Sequence, residues 1–93
     1  MNVDIKTLEA KAEILRAAAH PLRIAILMLL KKEKECTVSQ IYATLQIEQA
    51  VASHHLRILK THQLVVLRKS GKNAYYSLSK ETAIALLKAL DKI

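Results

Sequence analysis

The sequence has few of the residues that small proteins use for cross-links, tight turns or large aromatic cores. It contains one cysteine, one glycine and one proline, and it contains no phenylalanine or tryptophan. A single cysteine excludes a disulfide within the chain, and a single glycine argues against an all-β fold, which needs many tight turns. Since 52% of the residues are hydrophobic, disorder is excluded as well. We therefore expect a mainly helical protein whose core consists of leucine, isoleucine, valine and alanine.

Long apolar runs are also missing. The longest uninterrupted apolar stretch is Ile24 to Leu30, which is far shorter than the roughly 20 residues of a membrane-spanning helix. The first part of the chain mixes acidic and basic side chains and has no apolar segment of the kind found in secretory signals. We therefore expect no membrane segment and a cytoplasmic location, in which the cysteine stays reduced.

The length limits the protein to one small module. A chain of 93 residues predicts one domain over residues 1–93, without room for two lobes around a substrate cleft. A chain this short buries only about 60 to 70% of the surface that it exposes when unfolded. We therefore expect additional apolar contacts outside the single chain to contribute to its stability.

The charge is distributed unevenly along the chain. Fifteen lysine and arginine residues against eight aspartate and glutamate residues give a formal net charge of +7. The segment from Gln49 to Lys80 contains no carboxylate, so it favours a polyanionic partner, either nucleic acid or an anionic membrane surface. A basic face that serves only solubility is the simpler alternative. The cations of this segment are Arg57, Lys60, Arg68, Lys69, Lys72 and Lys80.

The first third of the chain has the apolar spacing of two helices. Apolar side chains recur every three or four residues from Asp4 to Ala18, which predicts an amphipathic helix. Proline suits the first position of a helix, so we expect Pro21 to open a second helix, with His20 at its start. This helix is apolar nearly all round and should be buried. The charged segment from Lys31 to Glu35 is predicted to be a connection.

The middle of the chain predicts two more helices. Thr37 and Gln40 have the spacing of a capping box, which marks the start of a third helix. From Glu48 to Thr61, a helical arrangement at about 100° per residue separates an apolar arc from a polar arc without carboxylates. His55 falls within the apolar arc, and we expect it to be packed in the core.

The polar arc of the Glu48 to Thr61 helix has the composition of a helix that reads DNA. Glutamine can pair with adenine, arginine with guanine or phosphate, and serine with base edges or phosphate. The small Ala50 allows such a helix to lie deep in the major groove. We therefore predict that Gln49, Ser53 and His54 contact base edges and that Arg57 contacts mainly phosphate.

A β-ribbon is predicted after this helix. Strand-like segments run from Leu64 to Ser70 and from Asn73 to Leu78, and Gly71 lies in the loop between them. Basic side chains near this loop are expected to contact phosphates or the minor groove. They are Arg68, Lys69 and Lys72.

The last segment predicts a fifth helix. Ser79 is suited to cap it, and Glu81 then falls in its first turn. The apolar stripes of the first and last helices exceed what one small domain can cover, so we expect them to form a homodimer interface. The predicted interface residues are Ile5, Leu8, Leu15, Ile84, Leu87 and Leu90. A dimer would present two reading helices to an inverted-repeat site in double-stranded DNA.

Three blocks of residues resemble the ArsR/SmtB family of transcriptional repressors. They are His20-Pro-Leu-Arg-Ile-Ala-Ile-Leu, Ser53-His-His-Leu-Arg-Ile-Leu and Gly71-Lys-Asn-Ala-Tyr-Tyr-Ser-Leu. The resemblance spans nearly the whole chain. It implies a winged helix-turn-helix fold, mainly α-helical with a small β-hairpin: four helices, the hairpin and a fifth helix. It also implies a homodimer through the terminal helices and release of DNA when an effector binds.

The sequence departs from the family where many relatives bind metals. Thr37 and Ser39 replace the two thiolate ligands of the third helix, and other ligand positions carry Lys80, Thr82 and Lys92. We therefore expect no metal site and no cofactor. Two further departures precede the reading helix, where Gln46 and Glu48 replace the usual glycine and serine cap. Gln46 is then expected to adopt a left-handed conformation.

Cys36 is a candidate thiol sensor. Lys34 and the amides of the third helix are neighbours that lower a thiol pKa. Redox sensors of this family, however, usually use two cysteines of one chain. The alternative, which we favour, is an inert thiol that is partly buried.

A protein-interaction module and an enzyme are the two alternatives to a DNA-binding regulator. A winged helix that serves as a protein-interaction module has the same fold, but such modules generally lack a cation-only stretch beside a small polar helix face. An enzyme needs paired carboxylates, an activated nucleophile or a glycine-rich phosphate loop, and the sequence has none of these. We therefore predict a non-enzymatic, sequence-specific DNA-binding repressor.

Overall fold

Five helices and three short strands follow one another in the computed structural model, which describes residues 3–93. In order they are α1 (Ile5–Ala18), α2 (Pro21–Glu33), β1 (Glu35–Thr37), α3 (Val38–Leu45), α4 (Gln49–Thr61), β2 (Val65–Ser70), β3 (Asn73–Leu78) and α5 (Thr82–Leu90). The predicted fold, mainly α-helical with a β-hairpin between the fourth and fifth helices, is confirmed. Within residues 3–93, no helix has the length and apolar character needed to cross a membrane.

Side chains start α2 and α3 as the sequence predicts. The ring nitrogen Nδ1 of His20 accepts a hydrogen bond from the backbone N–H of Leu22 at 3.1 Å, and Pro21 occupies the first turn. At α3 the capping box is complete. The N–H of Gln40 donates to Thr37 Oγ1 at 3.2 Å, and the N–H of Thr37 donates to Gln40 Oε1 at 2.8 Å. These bonds satisfy backbone donors that a helix start leaves without partners.

The charged segment that was predicted to be a connection instead ends α2 and begins a third strand. α2 continues to Glu33, and the chain reverses at Lys34, whose φ is +72°. β1 then pairs antiparallel with β3, with Cys36 opposite Tyr76, and β3 also pairs with β2. The sheet order is therefore β1-β3-β2. A strand of three residues is too short to show an alternation of apolar and polar side chains in the sequence. It forms because one edge of β3 would otherwise be unpaired.

The start of α5 also differs from the prediction. Ser79 does not cap this helix, because both its N–H and its Oγ donate to the carbonyl oxygen of Leu64 at 3.1 Å. Glu81 occupies the N-cap position, without a side-chain capping bond. Ser79 thus closes the base of the hairpin, where the Leu64 carbonyl needs a donor.

One core holds these elements together. It combines the inner faces of α2, α3 and α4 with residues of the sheet and of α5. In α2, Ile26, Leu27 and Leu30 are at most 1% exposed, but Met28 is 53% exposed. The second helix is therefore buried on one side, whereas its apolar sequence had predicted burial all round. Each fully buried leucine or isoleucine contributes about 1.5 to 3 kcal/mol. The outward surfaces of α4 and the hairpin are therefore carried on a tightly packed base.

Candidate nucleic-acid interface

The helix α4 turns the predicted polar arc outward. Ala52, Leu56 and Leu59 are fully buried on its inner side. The four predicted DNA-contacting residues of α4 lie on the opposite side of the helix. Three of them are exposed, and the fourth, Ser53, is half-buried. The three exposed residues are Gln49, His54 and Arg57. One face of α4 therefore presents amide, hydroxyl, imidazole and guanidinium groups together, and each of these groups can contact bases or phosphates.

The turn before α4 has the geometry predicted from its unusual residues. Gln46 adopts the left-handed conformation with φ 55° and ψ 46°, at a cost of up to about 1 kcal/mol relative to glycine. The N–H of Ile47 donates to the carbonyl of Tyr42 at 3.1 Å and closes the end of α3. Glu48 is the N-cap residue of α4 and makes no side-chain capping bond. Its exposed carboxylate interacts favourably with the positive end of the α4 dipole, but it repels phosphate.

The β2–β3 hairpin forms a basic wing. Gly71 has φ +61°, a left-handed conformation that glycine adopts without a steric penalty, and the pairing of Ser70 with Asn73 closes the two-residue turn. Lys69 and Lys72 are exposed at this end of the hairpin. Arg68 is exposed as well, so a polyanion can reach all three predicted wing cations.

The third wing cation, Arg68, is held by neighbouring side chains. Its Nη2 donates to Glu35 Oε1 at 2.9 Å, and its guanidinium carbon lies 4.7 Å from the centroid of the Tyr75 ring. The sequence prediction did not include this pairing, because Glu35 lies on the strand that was predicted to be a connection. A carboxylate partner offsets the charge of Arg68 at this edge of the wing. Lys69 and Lys72 are therefore the stronger candidates for phosphate contacts.

A polar cluster joins α4 to the start of α2. His55 is 6% exposed and packs on the inner side of α4, as predicted. Its Nδ1 accepts a hydrogen bond from Nε of Arg23 at 3.1 Å, and its ring centroid lies 4.5 Å from that of His20. Burial lowers the pKa of His55 below its usual value, and the charges of His20, Arg23 and His54 lower it further. No spacing in the sequence indicates this bond, because Arg23 and His55 lie 32 residues apart.

Cys36 does not have the surroundings of a reactive thiol. It is 3% exposed in β1. Burial raises the pKa of its thiol, and the carboxylates of Glu33 and Glu35 raise it further. This direction is opposite to the lowering considered for a thiol sensor, and it agrees with the inert thiol favoured from the sequence. Residues 3–93 contain no group of three or more histidine, cysteine or acidic side chains arranged to hold a metal ion.

The terminal helices carry an exposed apolar surface. Leu90 is half-buried there, and α1, α2 and α5 line an apolar groove of about 270 Å³. Leu87 is only 4% exposed and belongs to the core, and it also lines this groove. The other predicted interface residues are large exposed hydrophobic residues, namely Ile5, Leu8, Leu15 and Ile84.

The arrangement defines a class of protein. α3 and α4 are two helices joined by a short turn, the second of them presents a polar outward face, and a basic hairpin follows. These features are those of a winged helix-turn-helix protein. The profile of the "Bacterial regulatory protein, arsR family" matches residues 20–66, and the chain belongs to this family. Because the family consists of regulatory proteins, it agrees with the prediction that the chain is not an enzyme.

Individual relatives extend this result. The chain is 39% identical over 72 residues to the HTH-type transcriptional repressor SmtB of Mycobacterium tuberculosis, and the match covers 77% of this chain and 53% of that protein. The chain thus spans about half the length of that relative. The crystal structure of NolR from Sinorhizobium fredii superimposes with a TM-score of 0.88 at 30% identity, over 99% of this chain and 94% of that chain.

A second solved structure bears on assembly. It is the homodimeric winged helix-turn-helix DNA-binding domain of "a possible ArsR-family transcriptional regulator" from Mycobacterium bovis. It superimposes with a TM-score of 0.85 at 27% identity, over 99% of this chain and 88% of that chain. A chain of this fold therefore forms a homodimer in at least one relative.

Proposed function

We propose that the chain is a sequence-specific regulator that binds double-stranded DNA, acts as a repressor and is released by an effector. The observation that carries the proposal is the outward face of α4 together with the wing. Both lie in the segment from Gln49 to Lys80, which contains no carboxylate. Relatives that are themselves transcriptional repressors support the repressor role. The familiar metal ligands of the family are replaced, so the effector we propose is not a metal ion.

We propose further that the chain binds DNA as a homodimer through α1 and α5. Exposed Leu8 and Leu15 on α1 and Ile84 on α5 supply the apolar surface that such an interface would cover. A twofold axis would present two copies of α4 to successive major grooves. The operator would then be an inverted repeat with half-sites about 10 bp apart or slightly more.

Within each half-site, the side chains divide into two roles. Gln49, Ser53 and His54 contact base edges, because they lie on the outward face of the first half of α4. Arg57 lies two turns from the start of the helix and contacts mainly phosphate. The wing contributes phosphate or minor-groove contacts through Lys69 and Lys72.

Selection from a pool of random duplexes tests the proposal. The protein is incubated with the pool at near-physiological salt, and the bound duplexes are amplified and sequenced over several rounds. We expect enrichment of an inverted repeat with the spacing given above. A winged helix that serves as a protein-interaction module would enrich no sequence, and that result would overturn the proposal.

The wing lysines should control how binding depends on salt. Replacing both Lys69 and Lys72 with alanine is expected to weaken binding to the operator and to random DNA alike, because phosphate contacts carry no sequence information. The slope of log affinity against log salt should decrease by about one for each lost contact. Fluorescence anisotropy at several salt concentrations measures this slope.

A matched control for the wing variants is Lys32→Ala. Lys32 is an exposed lysine in the last turn of α2, where it lines a surface pocket with Leu90 of α5 and with Asp91, which follows α5. This variant should retain the wild-type slope. The assignment of the wing fails if the double variant also retains the wild-type slope, or if it loses preference for the operator while its salt dependence stays unchanged.

A further inference from the structure

Arg23 connects three elements at the base of the helix proposed to read DNA. Its Nε donates to Nδ1 of His55 in α4 at 3.1 Å, and its Nη1 donates to the carbonyl of Ala17 at the end of α1 at 3.2 Å. Arg23 itself belongs to α2. Among the described residues 3–93, the bond between Arg23 and His55 is the only hydrogen bond between two side chains that links α4 to another element. Arg23 therefore adds a polar link between α1, α2 and α4 to the apolar packing of Ala52, Leu56 and Leu59 in the core.

The bond requires a neutral imidazole on His55. An arginine can only donate hydrogen bonds, so Nδ1 of His55 must carry a lone pair and its proton must be on Nε2. His20 is under the same restriction, because its Nδ1 accepts the N–H of Leu22 at 3.1 Å. A second proton on either ring binds at Nδ1 and removes the acceptor. His20 and His55 can therefore accept these hydrogen bonds only when each ring is neutral and carries its proton on Nε2.

The surroundings of His55 oppose its protonation. The titratable or charged groups that act on its ring are His20, Arg23 and His54, and all of them are cationic when charged. The elements α1, α3 and β2 also pack against α4, and within the described residues they add no charged group to this set. A proton on His55 would therefore place an imidazolium against a guanidinium at a site that is 6% exposed.

We infer that Arg23 is a positioning residue for DNA binding, which holds α4 in place through neutral His55, so that acid weakens operator binding by breaking this bond. The inference rests on the proposed function. The predicted loss of affinity in acid is opposite in direction to the effect of general electrostatics. Acid raises the net positive charge, and this change alone would strengthen binding to DNA.

The pH range follows from the direction of the pKa shift. His55 has a pKa lowered from about 6.5, so its neutral form stabilises the fold above that pH. This contribution is lost as the pH falls through the lower pKa of the folded state. Below that pKa, operator affinity should fall by about tenfold per pH unit for each His55 that must release a proton.

The first experiment measures operator affinity from about pH 8 to about pH 5 at constant ionic strength, for the wild type and two variants. His55→Asn places Oδ1 near the position of Nδ1 and cannot take up a proton, so it should abolish the loss of affinity in acid. His62→Gln removes a histidine at the end of α4 that is outside the cluster, and it should retain the wild-type profile. Wild-type affinity that stays constant or rises in acid would overturn the inference, as would a wild-type loss retained by His55→Asn.

The same titration separates the inference from the proposed function. A wild type that selects no duplex at about pH 8 contradicts the proposed function itself. A wild type that binds its operator at about pH 8 with a flat acid profile contradicts only the positioning role of Arg23 and His55.

Two further measurements apply even if His55→Asn fails to fold. Nitrogen NMR of the wild-type imidazole rings should show His20 and His55 with the proton on Nε2, and a proton on Nδ1 of His55 would overturn the inference. Arg23→Lys keeps the charge, but one ammonium nitrogen cannot replace the two guanidinium donors. It should weaken operator binding by about tenfold, while binding to random DNA stays close to the wild type. Wild-type operator affinity in Arg23→Lys would contradict the positioning role.

Discussion

Replacing Leu15 with glutamate is expected to convert the proposed dimer into folded monomers and to reduce operator affinity by at least a hundredfold. Leu15 is 55% exposed on α1 and lines the apolar groove beside α5. In the proposed interface, the substitution would bury an unpaired carboxylate, which costs about 3 to 5 kcal/mol, and the twofold axis would repeat it. Sedimentation equilibrium measures the change in mass, and circular dichroism shows whether the helices are retained.

Two comparison variants make this result specific. Leu15→Met keeps the apolar volume and should remain dimeric. Leu87→Glu should instead unfold the chain, because Leu87 is 4% exposed in the core, where an unpaired charge is strongly destabilising. If Leu15→Glu sediments as the wild type does and retains full operator affinity, the interface lies elsewhere.

Replacing Gln49 and Ser53 together with alanine is expected to reduce operator affinity nearly to the level of random DNA. Each lost base contact costs about 1 to 3 kcal/mol, and a dimer loses every contact twice. The sum is comparable with the 4 to 10 kcal/mol or so that separates specific from non-specific binding. Binding to random duplexes should change little, because the phosphate contacts are retained. Anisotropy titrations with an operator duplex and a scrambled duplex measure both affinities.

A control on the same helix is Thr61→Ala. Thr61 is exposed at the end of α4, and its hydroxyl donates to the carbonyl of Arg57 at 2.9 Å. This variant should keep the operator preference. Alanine favours helices more than glutamine, serine or threonine does, so neither variant should unfold α4. The reading role of α4 is wrong if the double variant still prefers the operator over the scrambled duplex.

Features that depend on near neighbours in the sequence were predictable from the sequence alone. Periodic apolar residues predicted the helices, and Thr37 with Gln40 predicted the start of α3, because helix capping acts over three or four residues. His55 was placed inward by its angular position alone. The left-handed Gln46 was expected from the family resemblance, because Gln46 replaces the glycine usual in that turn. The resemblance to the family added the order of helices, hairpin and last helix.

Features that depend on a partner far along the chain were decided only by the tertiary structure. The strand β1 exists because β3 offers it an edge, and the bond between Arg68 and Glu35 joins positions 33 residues apart. Arg23 and His55 are separated by 32 residues, and no periodicity in the sequence relates them. The burial of Leu87 likewise depends on how α5 packs against α2. Local propensity acts through a few bonds along the backbone, whereas these contacts form only when packing brings distant segments together.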